Sequence, residues 1–177
     1  GDYATESYLI DKNEEAYANV FTVHYPDEER EEGRPLRQAP CYDRLKELGA
    51  VFGQKFGWER ANWFAPSKEL QKDDWSFRRS NWFEHVGNEC KNVSENAGLL
   101  DMSAFAKCRI SGPGAEEFLD NLVANKIPKK NGRVNLCHAL NTAGGVHSEF
   151  TIAKEKENSF YLVSAGAFQR LDHDWIH

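Results

Sequence analysis

RVNLCHALNTAGGVHSEFTIAKEKENSFYLVS, residues 133 to 164, holds three apolar runs in which polar side chains fall at alternate positions. A period of two is the mark of a strand with one face buried. The connectors NTAGG and KEKEN are too short for anything but hairpins between antiparallel neighbours. The stretch therefore predicts an α+β domain, an antiparallel sheet with flanking helices. On the middle strand Val146, Ser148, Phe150 and Ile152 share one face, and His147, Glu149, Thr151 and Ala153 share the other. Glu149 is the one acid in a run of apolar and hydroxyl residues. Alternation alone leaves open whether it is a working group or a solvated strand residue.

Moving toward the N-terminus, DMSAFAKCRISGPG reads as a turn, a strand and a sharp end, with Ala106, Cys108 and Ile110 on one face and Phe105, Lys107 and Arg109 on the other. Pro113 then stands at a helix start with Glu116 and Glu117 in the first turn, where the helix dipole favours acids. Phe118, Leu119, Leu122 and Val123 form the predicted buried stripe. Residues 82 to 96 have a helical pattern. Leu45, Leu48, Phe52 and Phe56 recur at helical spacing through DRLKELGAVFGQKF, which predicts one amphipathic helix stopped by Gly57. WERANWFAP, residues 58 to 66, follows as an aromatic-rich loop. At the other end AFQRLDHDWIH starts a helix as the chain stops, and GDYATES opens it like the middle of something longer, so a piece of a larger protein is expected.

The net charge of −6 sits at one end. Residues 1 to 40 carry the acids Asp2, Glu6, Asp11, Glu14, Glu15, Asp27, Glu28, Glu29, Glu31 and Glu32 against Lys12, Arg30, Arg34 and Arg37, and the remainder is balanced. With little apolar periodicity, residues 1 to 40 are expected to be an acidic extended arm, its PDEEREEGRP run a solvated link, and residues 41 to 177 the folded domain. A neutral body with an acidic leader offers no footprint for nucleic acid. No window approaches the ~18 apolar residues of a membrane helix, so no membrane partner is expected.

The cysteines Cys41, Cys90, Cys108 and Cys137 are widely spaced, without a C-x-x-C pair, and are expected to be reduced thiols in a cytoplasmic or mitochondrial-matrix compartment, Cys108 and Cys137 as small core residues. GPG at 112 to 114 and Gly144-Gly145 lack the further glycines of a nucleotide loop and read as turns. His138 and His147 have no cysteine or acid at metal-ligand spacing, so no metal is expected and both read as structural. Cys137 and His138 are adjacent on a strand and point to opposite faces, which excludes a nucleophile pair.

Four blocks, GLLDMSAF, RISGPGAEEFLDNLVAN, LNTAGGVHSEFTIA and SFYLVSAGAFQRLDHDWI, follow one another across residues 98 to 176 in an order and spacing that resembles the folate-binding region of the glycine-cleavage T-protein (aminomethyltransferase) family. Upstream, RPLRQAPCYDRLKELGAVFGQKFGWERANWFAP resembles the segment that precedes this region in flavin-dependent dimethylglycine and sarcosine dehydrogenases. The resemblance implies the first part of a T-protein-like domain, which in the parent binds tetrahydrofolate and takes up the one-carbon unit. FAD and the oxidation of an N-methyl amine substrate would belong to an N-terminal region outside this sequence.

In that family an acid after the Gly-Gly turn faces the folate. Glu149 occupies its place, one methylene longer than the usual Asp, and is implied as the catalytic carboxylate. Phe105, Leu136 and Thr151 are implied along the pterin wall, with Leu136 where an aromatic is common. A carboxylate suits the chemistry because a nitrogen that gains a bond to carbon must lose a proton. Two alternatives stay open: a non-catalytic folate-fold binding or regulatory module, and a stand-alone T-protein. The family's remaining folate contacts lie largely beyond residue 177, so weak folate binding and self-association are expected of this chain.

Overall fold

A computed structural model describes residues 5–177; the first four residues of the expected arm, with Asp2 among them, lie outside the described part. The chain divides into two compact units, one reaching Ala104 and one starting at Phe105.

In the first unit, helix α1 (Glu6–Ala18) begins at Thr5, whose side-chain oxygen accepts the backbone N–H of Tyr8. This corrects the expected extended arm. The run behind it is solvated only in part: Asp27, Glu31 and Glu32 are exposed, and Glu28 and Glu29 are half-buried. Glu15 of α1 accepts the backbone N–H groups of Glu31 and Glu32 at 2.7 and 2.9 Å, which folds the acidic segment back on the helix. Glu29 accepts the backbone N–H of Gln54 and the side-chain amide of Asn62. A carboxylate satisfies main-chain donors as well as it binds water, and a charge run in a sequence does not reveal which it meets.

The long helix expected around residues 43 to 56 is also corrected. Helix α2 covers only Tyr42–Glu47, and Gly49 follows with φ of +95°, where a Cβ would meet the Ala65 carbonyl oxygen at 2.4 Å. Strand β1 (Ala50–Lys55) then pairs antiparallel with β2 (Trp58–Phe64), so the expected aromatic loop is a strand. Phe56 and Gly57 turn the hairpin, both in the left-handed region. Two such residues in succession give the turn whose twist matches paired strands. Leu48 and Phe56 are exposed, so the helical stripe is not a buried one. The core here is Val51, Trp63 and Ala65, with Trp82 and Val86 packed on it from the start of α3 (Phe83–Glu95). Trp63 donates its indole N–H to Asp73 at 2.8 Å.

Arg34 ties the acidic segment to the hairpin. Its guanidinium donates to both carboxylate oxygens of Glu59, at 3.0 and 2.7 Å, and to the Phe52 carbonyl at 2.9 Å. The Glu59 side chain is 3% exposed. The hydrogen bonds it donates to Glu59 hold the Arg34 guanidinium above its ordinary pKa.

The second unit is a four-stranded antiparallel sheet: β3 (Ala106–Ser111), β4 (Val134–Leu140), β5 (Val146–Lys156) and β6 (Ser159–Ser164), in the order β3-β6-β5-β4. The expected α+β class and the three successive hairpin strands are observed. Helix α4 (Ala115–Leu122) lies on one face, where Ala115, Leu119 and Val123 meet Cys137, Ala139, Phe150, Ile152, Phe160 and Leu162. Two expectations are corrected at this core. Phe118 is exposed and Ala115 takes its place in the stripe, and Cys108 is an exposed thiol. Lys154 and Lys129 both bind Glu116, at 2.7 and 3.1 Å, and hold its carboxylate below its ordinary pKa.

Helix α5 (Gln169–Ile176) closes the unit. Its buried Asp172 accepts the hydroxyls of Ser148 on β5 and Ser164 on β6. Among the described residues no helix is long and apolar enough to cross a membrane.

Candidate functional site

The face of the second sheet turned away from α4 carries the residues singled out in the sequence. Register puts Leu136 directly opposite Thr151, Thr151 opposite Val163, and Val163 opposite Lys107, so one row crosses all four strands. One step along β5, His138 is opposite Glu149. Phe105 immediately precedes β3, whose first residue Ala106 pairs with Ser164 at the end of β6. Alternation places Phe105 on the same face as Lys107, at the end of the sheet where Glu149 stands.

The face is an open shelf. Leu136 and Phe105 are 54% and 40% exposed, Thr151 is exposed, and the Glu149 side chain is 59% exposed. These exposures leave Glu149 and its neighbours on an open face rather than in an enclosed pocket. The reason is local: β4 is an edge strand, and α4 covers the opposite face.

The carboxylate has a partner that the sequence did not reveal. His138 Nε2 lies 3.0 Å from Glu149 Oε2, and the same ring reaches Asn125 through Nδ1. His138 was expected to be structural, and it belongs instead to the Glu149 face. His147 departs the other way. The register slips between Leu140, opposite Val146, and Ala139, opposite Ser148, which leaves His147 as an extra residue on β5. A bulge breaks the alternation at that point. His147 accordingly stacks on Trp175 of α5, ring centres 3.9 Å apart, with Nε2 buried and without a hydrogen-bond partner.

Cys137 is fully buried on the α4 side, away from His138, and burial pushes its thiol pKa up, which disfavours the nucleophilic thiolate. Among the described residues no three His, Cys, Asp or Glu side chains are grouped to hold a metal ion.

The shelf sets the apolar side chains of Phe105, Leu136 and Val163 beside Glu149, Thr151, His138 and Lys107, a mix suited in chemical character to a flat ring with polar edges. Phe105 and Leu136 can cover a ring face, Thr151 can exchange a hydrogen bond with its edge, and Glu149 can hold a proton.

Residues 1–39 match the FAD dependent oxidoreductase central domain, and residues 41–177 match the GCVT N-terminal domain. The chain is 36% identical to the mitochondrial dimethylglycine dehydrogenase of Rattus norvegicus over 99% of its own length and 20% of that protein's. It is 32% identical to the 4-methylaminobutanoate oxidase (formaldehyde-forming) of Paenarthrobacter nicotinovorans over 96% of this chain and 21% of that one. It thus spans about a fifth of the length of these curated relatives. The solved glycine cleavage system aminomethyltransferase T of Bartonella henselae shares the fold over 80% of this chain and 34% of its own, with a TM-score of 0.62 at 23% identity. Sequence match and sheet architecture agree, and the chain belongs to the GCVT N-terminal domain family.

Proposed function

We propose that this chain is the tetrahydrofolate-binding, aminomethyltransferase-like module of a dimethylglycine or sarcosine dehydrogenase-type enzyme, which passes to tetrahydrofolate the one-carbon unit released by N-methyl amine oxidation. The observation that carries the reading is the alignment of Leu136, Thr151, Glu149 and Phe105 on one accessible sheet face. The relatives' names support the amine class and the family match supports the module. Tetrahydrofolate, when bound, supplies the nucleophilic nitrogen that receives the carbon.

The chain's own residues would do three things. Phe105 and Leu136 exclude water from one side of the ring. Thr151 orients its edge. Glu149 takes up a proton at Oε2 and, being exposed, releases it to water. FAD would belong to the parent's N-terminal oxidoreductase region outside this sequence, a reading that the match of residues 1–39 to the FAD dependent oxidoreductase central domain supports. The location in this reading is cytoplasmic, or the mitochondrial matrix for a eukaryotic protein, and the mitochondrial relative supports a mitochondrial one. Self-association is part of the same reading, through the outer edge of β4 beyond His138, whose own N–H and carbonyl bind Asn125 and Ala124, and sedimentation of the chain would read it as a dimer or larger.

A tetrahydrofolate titration followed by amide NMR tests the reading. Shifts confined to residues around Leu136, Glu149, Thr151 and Phe105, at affinity no better than about 1 mM and weakened in Glu149→Ala, are expected. Shifts mapping elsewhere, or none at saturating ligand, would refute it.

A further inference from the structure

Three residues beside the shelf form a polar chain in which each atom's role is fixed by its neighbour. Asn125 Oδ1 accepts the backbone N–H of His138 at 2.8 Å and stands 3.2 Å from Nδ1 of the same residue. An atom that accepts from a main-chain N–H is the amide oxygen and has no hydrogen to give, so Nδ1 must carry one. A neutral imidazole protonated on Nδ1 keeps its lone pair on Nε2. That nitrogen faces Glu149 Oε2 at 3.0 Å. Two lone pairs at this distance repel, and one proton between them converts the repulsion into a hydrogen bond.

We propose that Glu149 acts as half of a His138–Glu149 pair sharing one proton, with Asn125 holding the imidazole tautomer that makes the sharing possible. The pair's service to an amine ligand rests on the folate reading; the sharing itself does not. Glu149 is the group that meets the ligand, and His138 and Asn125 are positioning residues. Once the shared proton has passed to water, a protonated amine can refill the pair: its N–H bond breaks with the electron pair left on nitrogen, and an O–H bond forms at Glu149 Oε2. His138 Nε2 accepts the new hydrogen bond and holds the carboxyl in place. The His138 and Glu149 side chains are 33% and 59% exposed, so the proton can then pass to water.

Antiparallel pairing gives the arrangement its rigidity. His138 and Glu149 are opposite one another on β4 and β5, and the main-chain bond from His138 to Asn125 anchors the third member. A ring held at both nitrogens cannot rotate without losing two contacts. Its role therefore differs from that of a surface histidine that happens to lie near an acid.

Histidine-selective long-range 1H–15N correlation spectra of the 177-residue chain near neutral pH test the pair on the wild type, Asn125→Ala and Glu149→Gln. The wild type should show His138 with hydrogen on Nδ1 and its Nε2 signal displaced from the free-acceptor position toward the protonated one. Asn125→Ala should convert the ring to a population rich in the Nε2–H tautomer. Glu149→Gln should keep hydrogen on Nδ1 and return Nε2 to an ordinary acceptor signal. Melting curves of the variants serve as the folding control, and all three side chains are accessible enough for the fold to survive their loss. A wild type with hydrogen on Nε2 and a bare Nδ1, or a tautomer unchanged by Asn125→Ala, overturns the proposal. The tautomer pattern holding while tetrahydrofolate perturbs no residue of the shelf supports the pair and removes the folate reading alone.

Discussion

Replacing Arg34 by Met probes the join between the acidic segment and the hairpin most directly. The variant keeps much of the aliphatic stem and deletes three hydrogen bonds, two to Glu59 and one to the Phe52 carbonyl. Glu59 stays behind with its side chain 3% exposed and cannot turn to water. Removing one partner of a buried ion pair costs about 3–5 kcal/mol, because the other charge is left uncompensated. The double variant Arg34→Met, Glu59→Leu removes that charge and leaves only the Phe52 carbonyl without its partner, about 1–3 kcal/mol. The second substitution should therefore restore about 2 kcal/mol rather than add damage. Urea unfolding followed by tryptophan fluorescence reads this unit well, since Trp58, Trp63, Trp75 and Trp82 all belong to it. With a slope of about 2 kcal/mol per molar, the single variant should lose about 2 M in midpoint and the double about half of that. A single variant within about 1 kcal/mol of the wild type, or a double no better than the single, would refute the buried-pair argument.

Three further outcomes follow from the packing and charges. Leu119→Ala, at a fully buried position between α4 and the sheet, should destabilise the second unit by about 2–5 kcal/mol in chemical unfolding followed through Trp175. Asp172→Ala deprives the buried Ser148 and half-buried Ser164 hydroxyls of their shared acceptor and should cost about 3 kcal/mol, with faster amide exchange in β5 and β6; Asp172→Asn should cost less. Burial raises the Asp73 pKa against the opposing hydrogen bond from Trp63, so the folded state holds that proton more tightly than the unfolded chain. The Asp73 contribution should therefore be present below the ordinary carboxylate pKa and be lost as pH rises through the folded value, a slope that Asp73→Asn abolishes in pH-dependent melting.

The sheet of the second unit was legible because its strands alternate cleanly and their connectors leave no room for a crossover. Alternation also placed Glu149 and Thr151 opposite the core. The first hairpin was not legible, since AVFGQKFGW fits a helical stripe and a strand pair about equally and only Gly49 and the Phe56–Gly57 turn decide between them. Glu15, Glu29 and Arg34 read as surface charge because nothing local names a distant main-chain donor or a buried acid as their partner. The His138–Glu149 pairing was hidden by a single residue. Counted straight out from the NTAGG turn, the pairing of Leu140 with Val146 would set His138 opposite Ser148, and the bulge at His147 moves it to Glu149.

The strand order β3-β6-β5-β4 has a consequence for synthesis. Strands β4, β5 and β6 can zip together as each leaves the ribosome, but β3 is made first and, among the described residues, its only strand neighbour is β6. From Ser111 to Ser159 is 159 − 111 = 48 residues. At about 5–20 residues per second, β3 waits roughly 2–10 s with its main-chain donors and acceptors unpaired. Its exposed Lys107 and Arg109 hold that waiting edge apart from other strands by charge repulsion until β6 arrives.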